Sequence, residues 1–178
     1  MVKKLMKFFA YLLFFFGALA LFIPKSSIYY FVEKNMKQFG VVISNETLHS
    51  SMLSLNIENL EVSTKGIDTA LIEEADITLL LFYNKLHFTN IKLSSIVEAY
   101  LPSKISNLDI SYTIFNPLVV TLNAEGGFGV AQGTLNIMQR VVSISVEPSK
   151  IMLRRYKKSM RMLKKSENGE YVYAKTFK

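Results

Sequence analysis

Hydrophobic and polar positions divide the chain into stretches of different period. The run Phe8–Ile23 is sixteen residues without a charge, and it lengthens to nineteen if Leu5 and Met6 join it and Lys7 carries its ammonium to the interface on a flexible stem. A run of that length with no polar side predicts a transmembrane helix over 8–23. Lys3, Lys4 and Lys7 precede it and Pro24-Lys25 follows, a bias that puts residues 1–7 in the cytoplasm and everything after residue 25 across the membrane. The small-x-small pattern Ala18-Leu19-Ala20 raises a cleaved signal peptide as the rival. Against it, apolar character continues through Leu21, Phe22 and Ile23, and no polar region precedes Ala20. An uncleaved single-pass anchor is the reading adopted.

Residues 24–40 read as a linker and a short helix, with Ser27 as N-cap, Ile28, Tyr29, Phe31, Val32 and Met36 as its apolar positions, and Lys34 and Lys37 near its C-terminal end. From Val41 the period changes to two and stays there for most of 41–178, which predicts a β-rich domain. Inside it lies a repeat. Leu55-Asn56-Ile57-Glu58-Asn59-Leu60-Glu61-Val62-Ser63 matches Leu86-His87-Phe88-Thr89-Asn90-Ile91-Lys92-Leu93-Ser94 by residue class, 31 positions on, and Ile105-Ser106-Asn107-Leu108-Asp109-Ile110-Ser111 repeats the last seven. In each copy the apolar phase slips by one at the Asn, so Ile57 and Leu60, or Phe88 and Ile91, share a side only if the strand kinks there. Asn59, Asn90 and Asn107 are the predicted kink residues, because Asn tolerates left-handed backbone.

Ile77, Leu79 and Leu81 alternate with Thr78, Leu80 and Phe82, a strand apolar on both sides that belongs inside a sheet or against a second layer. Ile96–Leu101 reads as a helical turn ended by Pro102, Asn116-Pro117 as a turn, and Leu118–Leu122 as a strand. Glu125–Gly133 is glycine-rich but has neither a P-loop ending nor dinucleotide-loop spacing, so its glycines read as bends in a sheet. Thr134–Met138 and Val141–Val146 form a hairpin through Gln139-Arg140. After Glu147-Pro148-Ser149 a basic amphipathic helix is expected over about 150–165. Met152, Tyr156, Met160 and Leu163 are its docking stripe, and Arg154, Arg155, Lys157, Lys158, Arg161, Lys164 and Lys165 fill the rest as a surface for a partner or an anionic membrane. Asn168-Gly169 turns the chain into a last strand through Tyr171, Tyr173 and Phe177.

Composition narrows the chemistry. The chain has 178 residues and no Cys, which removes disulfides, thiolate nucleophiles and cysteine metal sites. Its net charge of +7 would suggest nucleic acid, yet residues 8–149 hold 8 basic and 12 acidic residues, so no basic face spreads over the fold and no nucleic-acid partner is expected. His49 and His87 have no acidic or Ser partner at motif spacing, and Asp68, Glu73, Glu74 and Asp76 lack the ligand order of a calcium loop. No catalytic set, metal or cofactor is expected.

The anchor, the Leu55–Ser63 and Leu86–Ser94 strands, the segment from Glu125 to Leu135, the Glu147-Pro148-Ser149 boundary and Asn168-Gly169-Glu170-Tyr171 together resemble the type II secretion system protein N family, itself similar to AsmA-type and other bridge-like envelope proteins. That resemblance implies a bitopic inner-membrane protein of a Gram-negative bacterium, with a periplasmic β-domain in an accessory role. The fold expected is mainly β: a transmembrane helix, then one twisted antiparallel sheet, with the basic helix and a final strand at its end. The expected function is that of a non-enzymatic component of a type II secretion-like, pilus or flagellar envelope machine, with other membrane and periplasmic proteins as partners. The alternative is a protein that binds or transfers membrane lipid on an apolar sheet surface.

Overall fold

The structure is a computed structural model that describes residues 2–80 and 82–177, with the backbone alone at Ala20. Met1, Lys178 and Leu81, the last of which the alternation assigns to a strand, lie outside the described residues. Two helices open the chain, α1 (Val2–Phe22) and α2 (Lys25–Gln38). Strands β1 (Val41–Ser44), β2 (Thr47–Ser50), β3 (Ser54–Thr64), β4 (Ile67–Leu79) and β5 (Tyr83–Leu93) follow, then a single turn of helix, α3 (Ser95–Glu98). Strands β6 (Lys104–Thr113), β7 (Val119–Gly126), β8 (Gly129–Asn136) and β9 (Val141–Pro148) continue the sheet. Two short helices, α4 (Lys150–Arg155) and α5 (Lys157–Met160), and two strands, β10 (Lys164–Lys165) and β11 (Tyr171–Thr176), end it.

α1 forms where the apolar run predicts a helix and starts earlier, at Val2. The expected bilayer crossing is not established by this helix. Among the described residues no helix is long and apolar enough to cross a membrane, and residues 2–19, the part before Ala20, include Lys3, Lys4 and Lys7. α2 begins two residues before the expected Ser27 cap. Pro24 stands at its entrance with φ −77°, close to the helical value that its ring imposes, and its carbonyl accepts from the Ile28 N–H at 3.1 Å.

All eleven strands join one antiparallel sheet. β3 to β9 form an uninterrupted meander, β11 then β10 complete one side, and β1 and β2 both pair with β3 on the other. β4 lies inside the sheet between β3 and β5, but the strand expected to be apolar on both sides over 77–82 is cut short: only Ile77–Leu79 belong to β4, which carries Glu74 and Asp76 on its polar side, and the Leu80 N–H donates to the Tyr83 carbonyl at 3.1 Å to close a turn that includes Phe82.

The kinks fall where two of the three asparagines predict them. Asn59 has φ +59° and Asn90 φ +52°, left-handed backbone in the middle of long strands. Ile57 and Leu60 are accordingly both buried in one cluster, and their neighbours Ala75 and Ile72 on β4 pair with Phe88 and Ile91 of β5. Asn107 is different, because its φ is not positive. In β6 the slip is absorbed by an extra residue between Ile105 and Asn107 opposite Glu125-Gly126 of β7, a bulge that leaves Ile105 and Leu108 on the same side. The phase slip crosses β3 to β6 as a seam and ends there.

The basic segment is not one helix. It breaks at Tyr156 (φ −108°, ψ 35°) into α4 and α5, and Lys164-Lys165 belong to strand β10. Eight like charges within sixteen residues repel one another along a continuous helix, and the break spreads them over three elements. The docking stripe survives the break: Met152 and Met160 are buried, and Tyr156 and Leu163 pack against the same cluster. The last strand stops at Thr176 and leaves Phe177 outside it.

Candidate functional site

Residues directly opposite in an antiparallel sheet project to one side, so the register defines what each side carries. Leu48, Ile57, Ala75, Phe88, Leu108, Ala124, Ala131, Val146 and Tyr171 are successive partners across nine strands. Two residues along the strands, Leu55, Ile77, Leu86, Ile110, Leu122, Gly133, Ile144 and Tyr173 make a second row on the same side. One side of the sheet is therefore an apolar floor. The other side carries Asn56, Asp76, His87, Asp109, Asn123, Gln132 and Ser145 in the row between them.

A stable sheet normally packs a second layer on its apolar side. Here that layer is partial. α2 packs on β1, β2 and β3, and α4 with α5 covers β7, β8 and β9. Between these roofs Ile77, Leu86, Phe88 and Ile110 stay only half-buried. Of the described apolar side chains other than proline just twelve are buried, in two clusters that lie under the two roofs, apart from Ile91.

The first roof is polar where it meets the floor. α2 buries Lys25, Tyr29 and Glu33, at i, i+4 and i+8, and leaves Phe31 and Val32 exposed. Lys25 Nζ donates to the Met52 carbonyl at 2.7 Å, and Glu33 pairs with Lys37 at 2.7 Å, which pushes the Lys37 ammonium up. Tyr29 Oη is buried with no hydrogen-bond partner among the described residues. Burial, with the nearby Glu46 and Glu33 charges, pushes its phenol well above the ordinary value of 10.0.

The second roof stands over an open apolar pocket of about 450 Å³ between α4–α5 and the floor. Leu101, Ile105, Phe128, Ile144, Val146, Met152, Met162 and Tyr173 line it, among others. Ser149 fixes the start of this roof: its Oγ donates to the Gly127 carbonyl at 2.6 Å and accepts from the Met152 N–H at 3.1 Å. Ser159 Oγ ties α5 to the loop after α3 through the Tyr100 carbonyl at 2.7 Å. The β7–β8 turn below is closed by glycine. Gly129 has φ +116°, and a Cβ there would run onto the Glu147 carbonyl oxygen.

Arg154, Arg155, Lys157, Lys158, Arg161, Lys164 and Lys165 are all exposed around this roof, and among the described residues none of them forms a salt bridge. They sit by the end of the sheet that holds the β7–β8 turn. α1 joins the fold at the opposite end, because the Lys25 bond holds the start of α2 to the β2–β3 turn. Strands of 8 to 13 residues separate the two ends by about 25–40 Å. Of the three predicted kink residues, Asn59, Asn90 and Asn107, none enters this site.

His87 has an acidic partner that sequence spacing could not reveal. It stands opposite Asp109 in the β5–β6 register, and its Nδ1 lies 2.8 Å from Asp109 Oδ1, to which Lys85 Nζ also donates at 2.7 Å. Burial raises the Asp109 carboxyl, but the hydrogen bonds from Lys85 and His87 outweigh it and hold the group below the usual carboxylate range. The same bond pushes the Lys85 ammonium up. Part of the signal was present: the repeat aligns β3 with β5, and the hairpin that follows sets His87 against Asp109. Asn56 Nδ2 bridges Glu74 at 2.7 Å and Asp76 at 3.0 Å. Among the described residues no group of three His, Asp or Glu side chains stands where it could hold a metal ion.

No protein-family model, curated protein or solved structure matches the chain, so the likeness to type II secretion protein N rests on its residues alone.

Proposed function

We propose that this is a single-pass inner-membrane protein whose sheet domain lies on the periplasmic side and serves as a non-enzymatic structural component of a bacterial envelope machine of the type II secretion kind. One observation carries the reading: an apolar floor across nine strands with only its two ends roofed, a surface that a protein partner would complete as the missing layer. The anchor is supported by the charge-free run Phe8–Ile23, the lysines before it, and a helix whose apolar Leu13 and Phe14 are 79% and 77% exposed. The edge strands argue for face docking over strand addition. β1, β2 and β10 are four, four and two residues long, and β10 consists of two lysines; edges that short, and lysines on an edge, resist pairing with another chain.

Photoreactive residues at Leu86, Phe88 and Ile110, in cells of the source organism, test the reading. The expected result is a cross-link to another envelope protein, and the same reagent at Asn123 on the polar side serves as control. Equal labelling from both sides, or none, would defeat the docking claim.

The pocket under α4–α5 favours a second reading, lipid binding, since about 450 Å³ of apolar space suits part of an acyl chain. Native mass spectrometry of the chain released from membranes decides it. A bound lipid lost on Ala131→Phe, which fills the pocket floor, would establish that reading.

A further inference from the structure

The meander sends the turns after β2, β4, β6 and β8 and the end of β11 to one rim of the sheet, as the pairings Ser54↔Thr78, Tyr83↔Thr113, Val119↔Asn136 and Val141↔Thr176 require. What those turns carry is unusual for a solvated rim. Met52 (71% exposed) caps the first, Phe82 the second, Phe115 (87%) the third and Met138 (76%) the fourth, with Phe177 beside them. Across the described residues of the four turns there is no Asp or Glu, and Arg140 is the only charged residue. The opposite rim is mixed: it too exposes apolar side chains, Phe39, Ile67, Ile96 and Tyr100, but sets them among the charges of Lys65, Glu98, Lys104 and Lys150.

Each apolar tip alone would be unremarkable, since single exposed hydrophobic residues are common. Their alignment is what needs an explanation, because loops 23 to 33 residues apart in the chain converge on one line. The same rim is where α1 joins the fold: Lys25, one residue after Pro24, is buried against the first turn through its bond to the Met52 carbonyl. We infer that this rim is a membrane-insertion edge, and that the sheet stands on the outer leaflet of the inner membrane with Met52, Phe82, Phe115 and Met138 dipped into the headgroup–acyl boundary. The occupant is lipid because the apolar line is continuous with the C-terminal end of the anchor, lacks acidic groups that anionic headgroups would repel, and uses the aromatic and flexible apolar side chains that settle at an interface. This inference rests on the reading of α1 as an anchor. Its consequence is orientation: the basic residues of α4, α5 and β10 lie at the far rim, several Debye lengths from that bilayer, and do not serve to bind it.

The chain contains no Trp, so one indole at a time reports depth. The full chain is reconstituted in phosphatidylglycerol–phosphatidylcholine vesicles whose lipid is brominated near the headgroup end of the acyl chains. Indoles placed by Phe115→Trp and Met138→Trp should be quenched about twofold or more, a depth of roughly 5–10 Å, while one placed at the far rim by Ile96→Trp should keep its emission. Circular dichroism checks that each variant is folded, and a carbonate wash reports on α1 separately. Unquenched rim indoles in a chain that resists carbonate would overturn the inference and leave the anchor standing. Quenched rim indoles in a chain that carbonate releases would remove the anchor and overturn the orientation inferred from it. Rim indoles shielded by a cross-linked second copy, with no quenching, would also overturn it.

Discussion

Substituting the three repeat asparagines separates backbone conformation from every other contribution. Asn59 and Asn90 hold φ of +59° and +52°, whereas Asn107, the equivalent residue of the third copy, does not. The Asn59 side chain is exposed, so its replacement changes little beyond the backbone term. A residue with an ordinary Cβ costs roughly 1–2 kcal/mol in left-handed backbone, and Asn escapes part of that through local hydrogen bonding. Asn59→Ala should therefore lose about 1 kcal/mol, Asn59→Val nearer 2 kcal/mol, and Asn59→Gly nothing or a small gain. The same order should hold at Asn90. At Asn107 it should reverse, with Gly the worst and Val the best, as in an ordinary strand. Asn59 and Asn90 sit on β3 and β5 with β4 between them, about 10 Å apart, so the double Ala variant should show close to the sum of the two losses. Against a total stability of about 5–15 kcal/mol that loss is easily seen. Urea unfolding in detergent micelles, followed by the strand signal in circular dichroism, measures it. The same ranking at all three positions would refute the seam, since it would mean that no left-handed residue sets the phase slip.

Four further outcomes follow from the site. Met152→Ala removes a buried side chain from the second roof and should cost about 2–5 kcal/mol; a loss under 1 kcal/mol in the same unfolding assay would mean the roof is not docked. Replacing Arg154, Arg155, Lys158 and Arg161 together by Gln should leave stability unchanged or slightly raised, while binding to an acidic partner should weaken in pull-downs and vesicle retention stay the same. Tyr29→Phe deletes a buried hydroxyl that has no hydrogen-bond partner of good geometry among the described residues, Glu46 being its nearby acceptor, so stability should hold or rise by about 1 kcal/mol. Its phenol is raised in the fold, so its contribution is complete below the ordinary value of 10.0 and is lost as pH climbs through the folded value; the variant should flatten that alkaline loss in a pH series of unfolding midpoints. Gly129→Ala, at φ +116° and against the Glu147 carbonyl, should unfold several degrees below the parent in a thermal scan, and an unchanged midpoint would contradict the geometry of the β7–β8 turn.

The periods, and hence the kinds of element, are legible along the chain before any fold is known. Sixteen apolar residues after three lysines gave α1, the two-residue alternation gave β3 to β9, and Asn59 and Asn90 marked their own kinks, because backbone preference and amphipathic phase are properties of a few adjacent residues. The sequence also named the stripe Met152, Tyr156, Met160 and Leu163 that docks on the sheet, although not the break at Tyr156 between α4 and α5. Tertiary structure alone decided which apolar rows line up across the strands, how little of that floor α2 and α4–α5 cover, and that His87 meets Asp109. It also decided that Met52, Phe82, Phe115 and Met138, scattered over 87 positions of sequence, share one rim while the basic residues gather near the other. The reason is physical. Side-chain phase is read within one strand, whereas coverage and rim composition depend on strand register, which is set by the summed cross-strand contacts of the whole meander.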